Sequence, residues 1–350
     1  MTVAPATVRS IAAVGLGVPS TIVVEPIDNR SVLHELRAHR LEGVAVSALL
    51  DGTIEADERF GESLVQQHDE TMAQTLRVEI MAVRVSDLLL DNDVPHRVLK
   101  GTALAHTVAR SPSERSFRDV DVLVHGSEMD RVVALLTNLG ATRNQPQLRP
   151  GFDGRFGKSV TMKLDGVEID LHRLFCAGPF GVWMHPGDLF LLRDTVHVGG
   201  TPLPTLDWTD HLLHACYHVA LGSAVPALVN LRDVALLAGG DWDSERFGQT
   251  VDRWRGHAVV RRAVRLVVDE LDAELPETLM EYRHVPVAQA ERDLIIPYLS
   301  TDARGRFAEL APATLRALPI GDRVAFARAV GLPEGSDVRG RLRAIVDRTR

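Results

Sequence analysis

The sequence predicts an α+β protein in which a small mixed β-sheet is flanked by helices. Residues 31–94 have helical apolar periodicity, residues 95–206 contain short apolar runs bounded by turn residues, and the chain from Asp207 onward is almost entirely helical. These changes of pattern predict a weakly structured N-terminus (1–30), N-terminal helices (31–94), a sheet-containing core (95–206) and an all-helical C-terminal domain (207–350).

Length and composition are those of an ordinary globular protein. The 350 residues are 45% hydrophobic and 25% charged, and no apolar run is long enough for a membrane helix. The net charge of −8 argues against broad binding to nucleic acid or to acidic membranes, although a local basic groove stays possible. Two cysteines, Cys176 and Cys216, cannot form a disulfide framework, so we expect free thiols and a cytoplasmic protein.

Two helices are expected before the sheet. One covers Ser31 to Leu50, and a longer one runs from near Ala56 to Asp91, where Pro95 confirms the stop. Apolar residues at helical spacing predict the buried face of the longer helix: Phe60, Leu64, Met72, Leu76, Ile80 and Val83.

The core is predicted to alternate strands and helices. Asp165-Gly166 between two apolar runs is the strongest hairpin signal in the chain. The stretch from Phe175 to Leu206 is rich in Gly and Pro and is expected to be irregular. The predicted strands are His96–Leu99, Val120–Val124, Val160–Leu164, Val167–Leu171 and an edge strand within Thr142–Leu148; the predicted helices are Thr102–Ala109 and Glu128–Leu139.

Acidic residues lie on two of these strands. Asp119 and Asp121 are two residues apart and therefore project from the same face, and Glu168 and Asp170 repeat the pattern. Like charges on an apolar strand need a compensating cation. A third carboxylate from a neighbouring strand would complete an oxygen-rich site, which suits Mg²⁺ better than zinc.

These motifs resemble a known family. A strand with Leu99-Lys100-Gly101-Thr102, a helix, the strand Arg118-Asp119-Val120-Asp121-Val122-Leu123-Val124 and the later Glu168-Ile169-Asp170-Leu171-His172 resemble the nucleotidyltransferase superfamily related to DNA polymerase β. More narrowly, they resemble an uncharacterised bacterial nucleotidyltransferase-like family. The resemblance covers roughly residues 60 to 240, and it departs from many members in having Gly-Thr instead of Gly-Ser.

The resemblance implies a catalytic and metal-binding set. Asp119 and Asp121 would bridge two Mg²⁺ ions, and Asp170 would hold the ion beside the attacking hydroxyl and help remove its proton. The co-substrate would be an NTP, from which an NMP passes to a hydroxyl or phosphate of an acceptor.

Further residues are candidates for binding the nucleotide. Gly101 would allow close approach of a phosphate, or simply make a strand-to-helix turn. Arg115 and Arg118 would hold phosphates, or pair with Glu114, Asp119 or Asp121. The candidate nucleotide-binding residues are Lys100, Gly101, Thr102, Arg115 and Arg118, and Lys100 is expected within a strand, where it can point away from the site.

Other residues are candidates for supporting the acids. His172 shares a strand face with Asp170, and Glu168 either joins the site or pairs on the solvent side with Arg173 or Lys163. His218 and Asp233 are expected to hydrogen-bond between helices or to line the nucleotide pocket. His214 and His218 have zinc-ligand spacing, but no second pair of ligands is evident.

The sequence does not identify the acceptor of the transferred group. The acidic composition favours a small molecule, a peptide or a protein over nucleic acid, which is not excluded. The alternatives are a phosphotransferase or a tRNA-modifying toxin on the same core, or an inactive nucleotide-binding scaffold.

Overall fold

The computed structural model describes residues 4–17, 21–300 and 303–331. Its strands are β1 (Ile22–Val23), β2 (Ile54–Glu55), β3 (His96–Val98), β4 (Asp119–Val124), β5 (Thr142–Arg143), β6 (Ser159–Leu164), β7 (Val167–His172), β8 (Asp194–Val198) and β9 (Thr201–Thr205). Its helices are α1 (Ala6–Ala12), α2 (Asn29–His39), α3 (Glu42–Leu50), α4 (Glu58–Asp91), α5 (Lys100–Thr107), α6 (Met129–Asn138), α7 (Phe152–Arg155), α8 (Gly178–Trp183), α9 (Trp208–Gly222), α10 (Leu228–Ala238), α11 (Ser244–Arg253), α12 (His257–Leu271), α13 (Glu277–Met280), α14 (Gln289–Asp293), α15 (Ala303–Ala317) and α16 (Ile320–Gly331).

A mixed sheet forms the centre of the molecule, which confirms the α+β prediction. In the described part of the chain it has seven strands in the order β5-β6-β7-β4-β3-β9-β8. β4 lies in the middle, parallel to β7 on one side and antiparallel to β3 on the other. Val120, Val122 and Val124 of β4 are fully buried. Asp119 and Asp121 therefore project from the opposite face of β4.

The predicted hairpin is confirmed. β6 and β7 pair in antiparallel register over six residue pairs, and Asp165 and Gly166 connect them with φ values of 49° and 84°. A two-residue hairpin turn that matches the right-handed twist of its strands requires positive φ at both central residues. This turn fixes the register that carries Asp170 into the sheet beside β4.

The expectation of irregular structure between Phe175 and Leu206 was wrong for part of that stretch. β8 and β9 form a second hairpin that extends the sheet beyond β3. Pro202 and Pro204 hid β9 in the sequence because proline normally argues against a strand. The two prolines are two residues apart, so the backbone N–H groups that they lack would both have pointed to the same side of the strand. The pairing of β9 with β8 on the other side is therefore kept. β9 also pairs with β3, through one residue pair.

The N-terminal region is more ordered than expected. In place of one helix over Ser31–Leu50, α2 and α3 are separated at Arg40, which has a left-handed backbone with φ of 58°. α1 forms in the region expected to be weakly structured, and it buries Val8 and Ile11. The edge strand predicted within Thr142–Leu148 is reduced to the two residues of β5.

The two largest of four hydrophobic clusters in the described residues stabilise the fold. The helical core combines N-terminal and C-terminal helices in one cluster, and the sheet core lies between β4, β6, β7 and the surrounding helices. The helical core includes Val8, Ile11, Val44, Phe60, Leu64, Leu213, Val234 and Trp254; the sheet core includes Val78, Val85, Leu89, Phe117, Val122, Leu136, Met162 and Ile169. The N-terminal helices share a core with the C-terminal ones, and the predicted domain boundaries stay predictions.

The predicted buried face of α4 is correct only at its beginning. Phe60 and Leu64 are buried, but Leu76 and Ile80 are 52% and 70% exposed. The helix passes from the helical core to the sheet core along its 34 residues, so its buried face changes to Val78, Met81, Ala82, Val85 and Leu89.

The C-terminal helices are confirmed as α9 to α12 and α16, and both cysteines are free and buried. The basic segment from Val338 onward lies outside the described residues. Among the described helices, none combines the length and the apolar character that crossing a bilayer demands.

Gly101 is required by packing in this fold. A Cβ atom at this position would lie 2.5 Å from Cβ and 2.6 Å from Cγ of Phe117, which is itself 1% exposed. Such distances are far inside van der Waals contact, and these Phe117 atoms cannot swing away. A side chain at position 101 therefore forces a shift of α5 against β4.

We expect Gly101→Ala to lower the free energy of unfolding by about 1–3 kcal/mol, since it overpacks a filled core. Urea unfolding measures this change. Gly321→Ala is the matched control because a Cβ there meets no atom within 4 Å, and it should leave stability within about 1 kcal/mol of wild type. An unchanged midpoint for Gly101→Ala would show that Phe117 yields.

Candidate active site

The pairing of β4 with β7 brings acids from both strands together. The register sets Asp119 opposite Glu168 and Asp121 opposite Asp170. Because alternate residues face the same side of a sheet, these positions project from one face. Ligand atoms of Asp121, Asp170 and His172 all lie within 4.8 Å of one another. Asp119 is not part of this group of three, although it lies two residues from Asp121.

Asp121 is buried and paired with two side chains. Its Oδ1 accepts from Lys100 Nζ at 2.6 Å and from His172 Nε2 at 2.7 Å, and these two nitrogens are 3.4 Å apart. Burial on its own would raise the pKa of Asp121, but the charge of Lys100 and the hydrogen bond from His172 hold that pKa well below its usual range. Burial lowers the pKa of His172, as does the charge of Lys100, so this ring is neutral and donates from Nε2.

The position of Lys100 differs from the expectation. It is not in a strand: it is the first residue of α5, with φ of 42°, and its side chain turns towards Asp121. The helix begins at Lys100, two residues before the predicted start at Thr102. Thr102 is 2% exposed, and its hydroxyl has no hydrogen-bond partner among the described residues. That hydroxyl is therefore an unpartnered polar atom in the first turn of the helix that also carries Lys100.

Asp119 has a different environment from Asp121. Burial, together with the like charges of Asp121 and Asp170, raises the pKa of Asp119 to about 6, although Lys100 and Arg40 act against the rise. Among residues 4–17, 21–300 and 303–331, no side chain donates a hydrogen bond to its carboxylate. This carboxylate therefore lacks a cation of its own.

A cleft of about 360 Å³ lies against Asp119. It is lined by Arg37, Ala38, Arg40, Arg118, Asp119, Glu168 and Ala227. Arg40 Nη2 donates to Asn230 Oδ1 on α10 at 3.0 Å, which holds this arginine at the cleft. The sequence analysis singled out Arg118 but missed Arg37 and Arg40, because nothing in residues 29–50 distinguishes them from solvent-facing helix positions.

Asp170 is oriented by the neighbouring strand. Thr161 lies opposite it on β6, and Thr161 Oγ1 donates to Asp170 Oδ1 at 2.5 Å. Lys158, in the segment before β6, adds a positive charge: burial lowers its pKa, the charge of Lys100 lowers it further, and Asp121 and Asp170 oppose the shift. Neither Thr161 nor Lys158 was among the site residues predicted from the sequence.

The hydrogen-bond partner of Arg115 differs from the expected ones. Its guanidinium donates from Nε and Nη2 to both carboxylate oxygens of Asp233, at 2.8 and 2.7 Å, and in the described residues it makes no hydrogen bond to Glu114, Asp119 or Asp121. The charges of Asp121 and Asp119 nevertheless act on it. The side chains of Arg115 and Asp233 are both buried, so the pair is an internal link between α10 and the segment before β4. Within the described residues no hydrogen bond joins Asp233 to His218, and the alternative that they line the nucleotide pocket stays a prediction.

The remaining candidates lie at the edges of the site. Glu168 is exposed, and its contact is with Asn144 Nδ2 at 3.4 Å, not with Arg173 or Lys163. Burial lowers the pKa of His214 and of His218 well below the usual range, and the charge of Lys100 acts on both. These two histidines belong to no group of three metal-ligand side chains in the described parts of the chain.

The donor set fits a hard divalent cation. Carboxylate oxygens of Asp121 and Asp170 lie close together, and Asp119 adds a carboxylate whose charge is not compensated by a hydrogen bond. Oxygen donors of this kind are the ligands that Mg²⁺ prefers, and the unpartnered hydroxyl of Thr102 would suit a phosphate. The chemistry of the residues present is compatible with a metal-dependent phosphoryl site.

The two aspartates of β4 should have opposite effects on stability. The folded-state pKa of Asp119 exceeds the unfolded value of about 3.8, so its contribution to stability is lost as the pH rises from about 4 to about 6. Asp119→Asn should therefore raise the free energy of unfolding at pH 7.5 by up to about 3 kcal/mol, at about 1.4 kcal/mol per pKa unit. Asp121→Asn should lower it by about 3–5 kcal/mol, since Lys100 loses its buried partner.

Urea unfolding at pH 7.5 in the presence of a chelator measures both changes. Glu168→Gln is the control, and because Glu168 is exposed it should alter stability by less than about 0.5 kcal/mol. Shifts of the same sign for Asp119→Asn and Asp121→Asn would contradict the electrostatic account.

Comparison with solved structures gives distant similarities. The crystal structure of ANT(2″)-Ia in complex with adenylyl-2″-tobramycin is 14% identical, with 52% of this chain and 98% of that chain covered and a TM-score of 0.35. The crystal structure of an antigenic nucleotidyltransferase-like protein from Paracoccidioides brasiliensis has 12% sequence identity, with 57% of this chain and 93% of that chain covered and a TM-score of 0.35. The solution structure of ANT(2″)-Ia has 14% sequence identity, with 60% of this chain and 90% of that chain covered and a TM-score of 0.33.

A search of curated proteins gives no match to this chain. The model of one protein family, by contrast, matches residues 25–271, which include both strands that carry the acids, α5 and the helices up to α12. This span confirms the resemblance inferred from the motifs around Gly101, Asp121 and Asp170. The chain belongs to the family described as uncharacterised nucleotidyltransferase, and it is a nucleotidyltransferase.

Proposed function

We propose that this protein transfers a nucleoside monophosphate from an NTP to a hydroxyl or phosphate oxygen of an acceptor in a Mg²⁺-dependent reaction. The observation that carries the proposal is the register of β4 with β7, which sets Asp121 opposite Asp170 while Asp119 lies at an arginine-lined cleft. Family membership supports nucleotidyl transfer as the class of reaction.

Asp119, Asp121 and Asp170 are the residues that would hold the metal. A bound Mg²⁺ would neutralise the phosphates and lower the barrier to departure of pyrophosphate. His172 and Thr161 orient the carboxylates of Asp121 and Asp170 by hydrogen bonds. The oxygen of Asp170 that does not bind Thr161 accepts the proton of the acceptor hydroxyl as that hydroxyl attacks the α-phosphorus.

The cleft beside Asp119 is the proposed place of the triphosphate. Arg40 and Arg118 supply cationic donors that can bind phosphate oxygens, and Arg37 lies at the same cleft. Thr102 contributes its unpartnered hydroxyl from the first turn of α5. Gly101 does not need to approach a phosphate, because its contact with Phe117 already explains the glycine.

The acceptor is proposed from charge. A protein with net charge −8 is suited to a small molecule, a peptide or a protein more than to a polyanionic nucleic acid. Two buried free thiols are compatible with the reducing conditions of the cytoplasm.

Removal of the paired acids should abolish the reaction. We expect Asp121→Asn and Asp170→Asn each to lower Mg²⁺-dependent pyrophosphate release from NTPs by roughly a hundredfold or more, since the charge that binds the metal is lost. The assay uses each of the four NTPs with a bacterial metabolite extract as acceptor. Glu245→Gln, at an exposed carboxylate on α11 away from the cleft, is the control, and it should retain activity.

Mass spectrometry of the product identifies the transferred group. An added nucleoside monophosphate supports the proposal, whereas an added phosphate alone would indicate a phosphotransferase. Full pyrophosphate release by both aspartate variants would rule the assignment out.

Loss of the cleft arginines should weaken nucleotide binding. We expect Arg40→Gln and Arg118→Gln each to raise the Kd of a nonhydrolysable ATP analogue roughly 10- to 100-fold, because each removes a charged hydrogen bond to phosphate. Calorimetry in the presence of Mg²⁺ measures this Kd. Arg77→Gln, on the exposed face of α4, is the control. Unchanged affinity in both variants would place the triphosphate elsewhere.

A further inference from the structure

The ammonium group of Lys100 already occupies a cation position on the central acid. Lys100 Nζ lies 2.6 Å from Asp121 Oδ1 and 3.4 Å from His172 Nε2, and His172 Nε2 is 2.7 Å from the same oxygen. The three groups therefore form a closed triangle. Asp121 is 3% exposed and His172 1% exposed, so solvent has little access to this oxygen.

The remaining carboxylate oxygens of the three aspartates are not engaged in the same way. Within the described residues, Asp121 Oδ2 and both oxygens of Asp119 accept no hydrogen bond, and Asp170 has only Oδ1 engaged, by Thr161. These free oxygens are enough to hold one cation. A second cation bound by Asp121 would have to share Oδ1 with the ammonium group of Lys100, which already lies 2.6 Å from that oxygen.

Charge repulsion disfavours that sharing. Paired metal ions in phosphoryl-transfer sites lie about 3.5–4 Å apart and share ligands, so the second ion would lie close to Lys100 Nζ. Cations at such separations repel strongly in a water-poor interior. Lys158 adds a further positive charge that acts on Lys100, Asp121 and Asp170.

The charges of the site also favour one divalent ion over two. Asp119, Asp121 and Asp170 carry three negative charges when ionised. Without Lys158, one divalent ion together with the Lys100 ammonium balances them, whereas two divalent ions with Lys100 would leave an excess of two positive charges before the nucleotide enters. The nearby Lys158 would enlarge that excess.

We propose that the site takes a single divalent cation, held by Asp121 and Asp170, whose ligand atoms lie within 4.8 Å of one another, with Asp119 as a further nearby negative charge, and that the ammonium of Lys100 takes the position of the second cation. This inference rests on the proposed function and revises the two-ion site expected from the sequence. It makes Lys100 a charge-compensating residue that is fixed to the protein and is present before nucleotide binds.

The number of bound ions tests the inference directly. Mn²⁺ is titrated into the nucleotide-free protein, and free Mn²⁺ is followed by electron paramagnetic resonance. Wild type should bind one Mn²⁺ per chain. Lys100→Met, which keeps the length of the side chain without its charge, should bind two, and Lys100→Gln provides a second neutral variant if the first does not fold.

The control is Lys163→Met, since Lys163 is an exposed lysine on β6, and it should bind one ion like wild type. Two ions on wild type, or one ion at unchanged affinity on the folded Lys100 variants, would overturn the role of Lys100 and leave the proposed function standing. Absence of Mn²⁺ from wild type and both Lys100 variants would overturn the metal-dependent function as well.

Discussion

The buried carboxylate of Asp121 is the constraint on which the local architecture depends. A charge this far from solvent persists only if compensating groups surround it. Lys100 comes from the start of α5, His172 from the end of β7, and Asp121 itself from β4, so one oxygen atom ties three elements together. The left-handed backbone of Lys100 is consistent with this demand, because a non-glycine residue adopts it only when its surroundings compensate the cost.

The two aspartates of β4 show how far environment separates chemically identical groups. They are two residues apart on the same strand face, yet the pKa of Asp119 is raised and that of Asp121 is lowered. The difference arises because Lys100 and His172 both bind Asp121, whereas Asp119 experiences burial and the repulsion of its neighbours. The site thus has one carboxylate whose charge is satisfied within the protein and one that would gain most from an added cation.

The cleft depends on packing between distant parts of the chain. Arg40 lies between α2 and α3, and Asn230, which binds it, lies on α10. These elements meet because N-terminal and C-terminal helices bury their apolar faces in one helical core. The buried Arg115–Asp233 pair adds a second link between α10 and the sheet. Residues from the N-terminal and C-terminal helical regions therefore line the cleft together.

The sequence by itself determined the sheet's central strands, the β6–β7 hairpin, the C-terminal helices and the family, because these depend on local periodicity, turn residues and contiguous motifs. It also indicated that Asp121 and Asp170 would meet, since the face of a strand residue follows from alternation. Only the tertiary structure decided which cation faces each acid: Lys100 with Asp121, Arg115 with Asp233, and Arg40 at the cleft. Such pairings join residues from 21 to 190 positions apart, and no local pattern encodes them. β9 required the fold as well, because Pro202 and Pro204 are tolerated only through the arrangement of its neighbours.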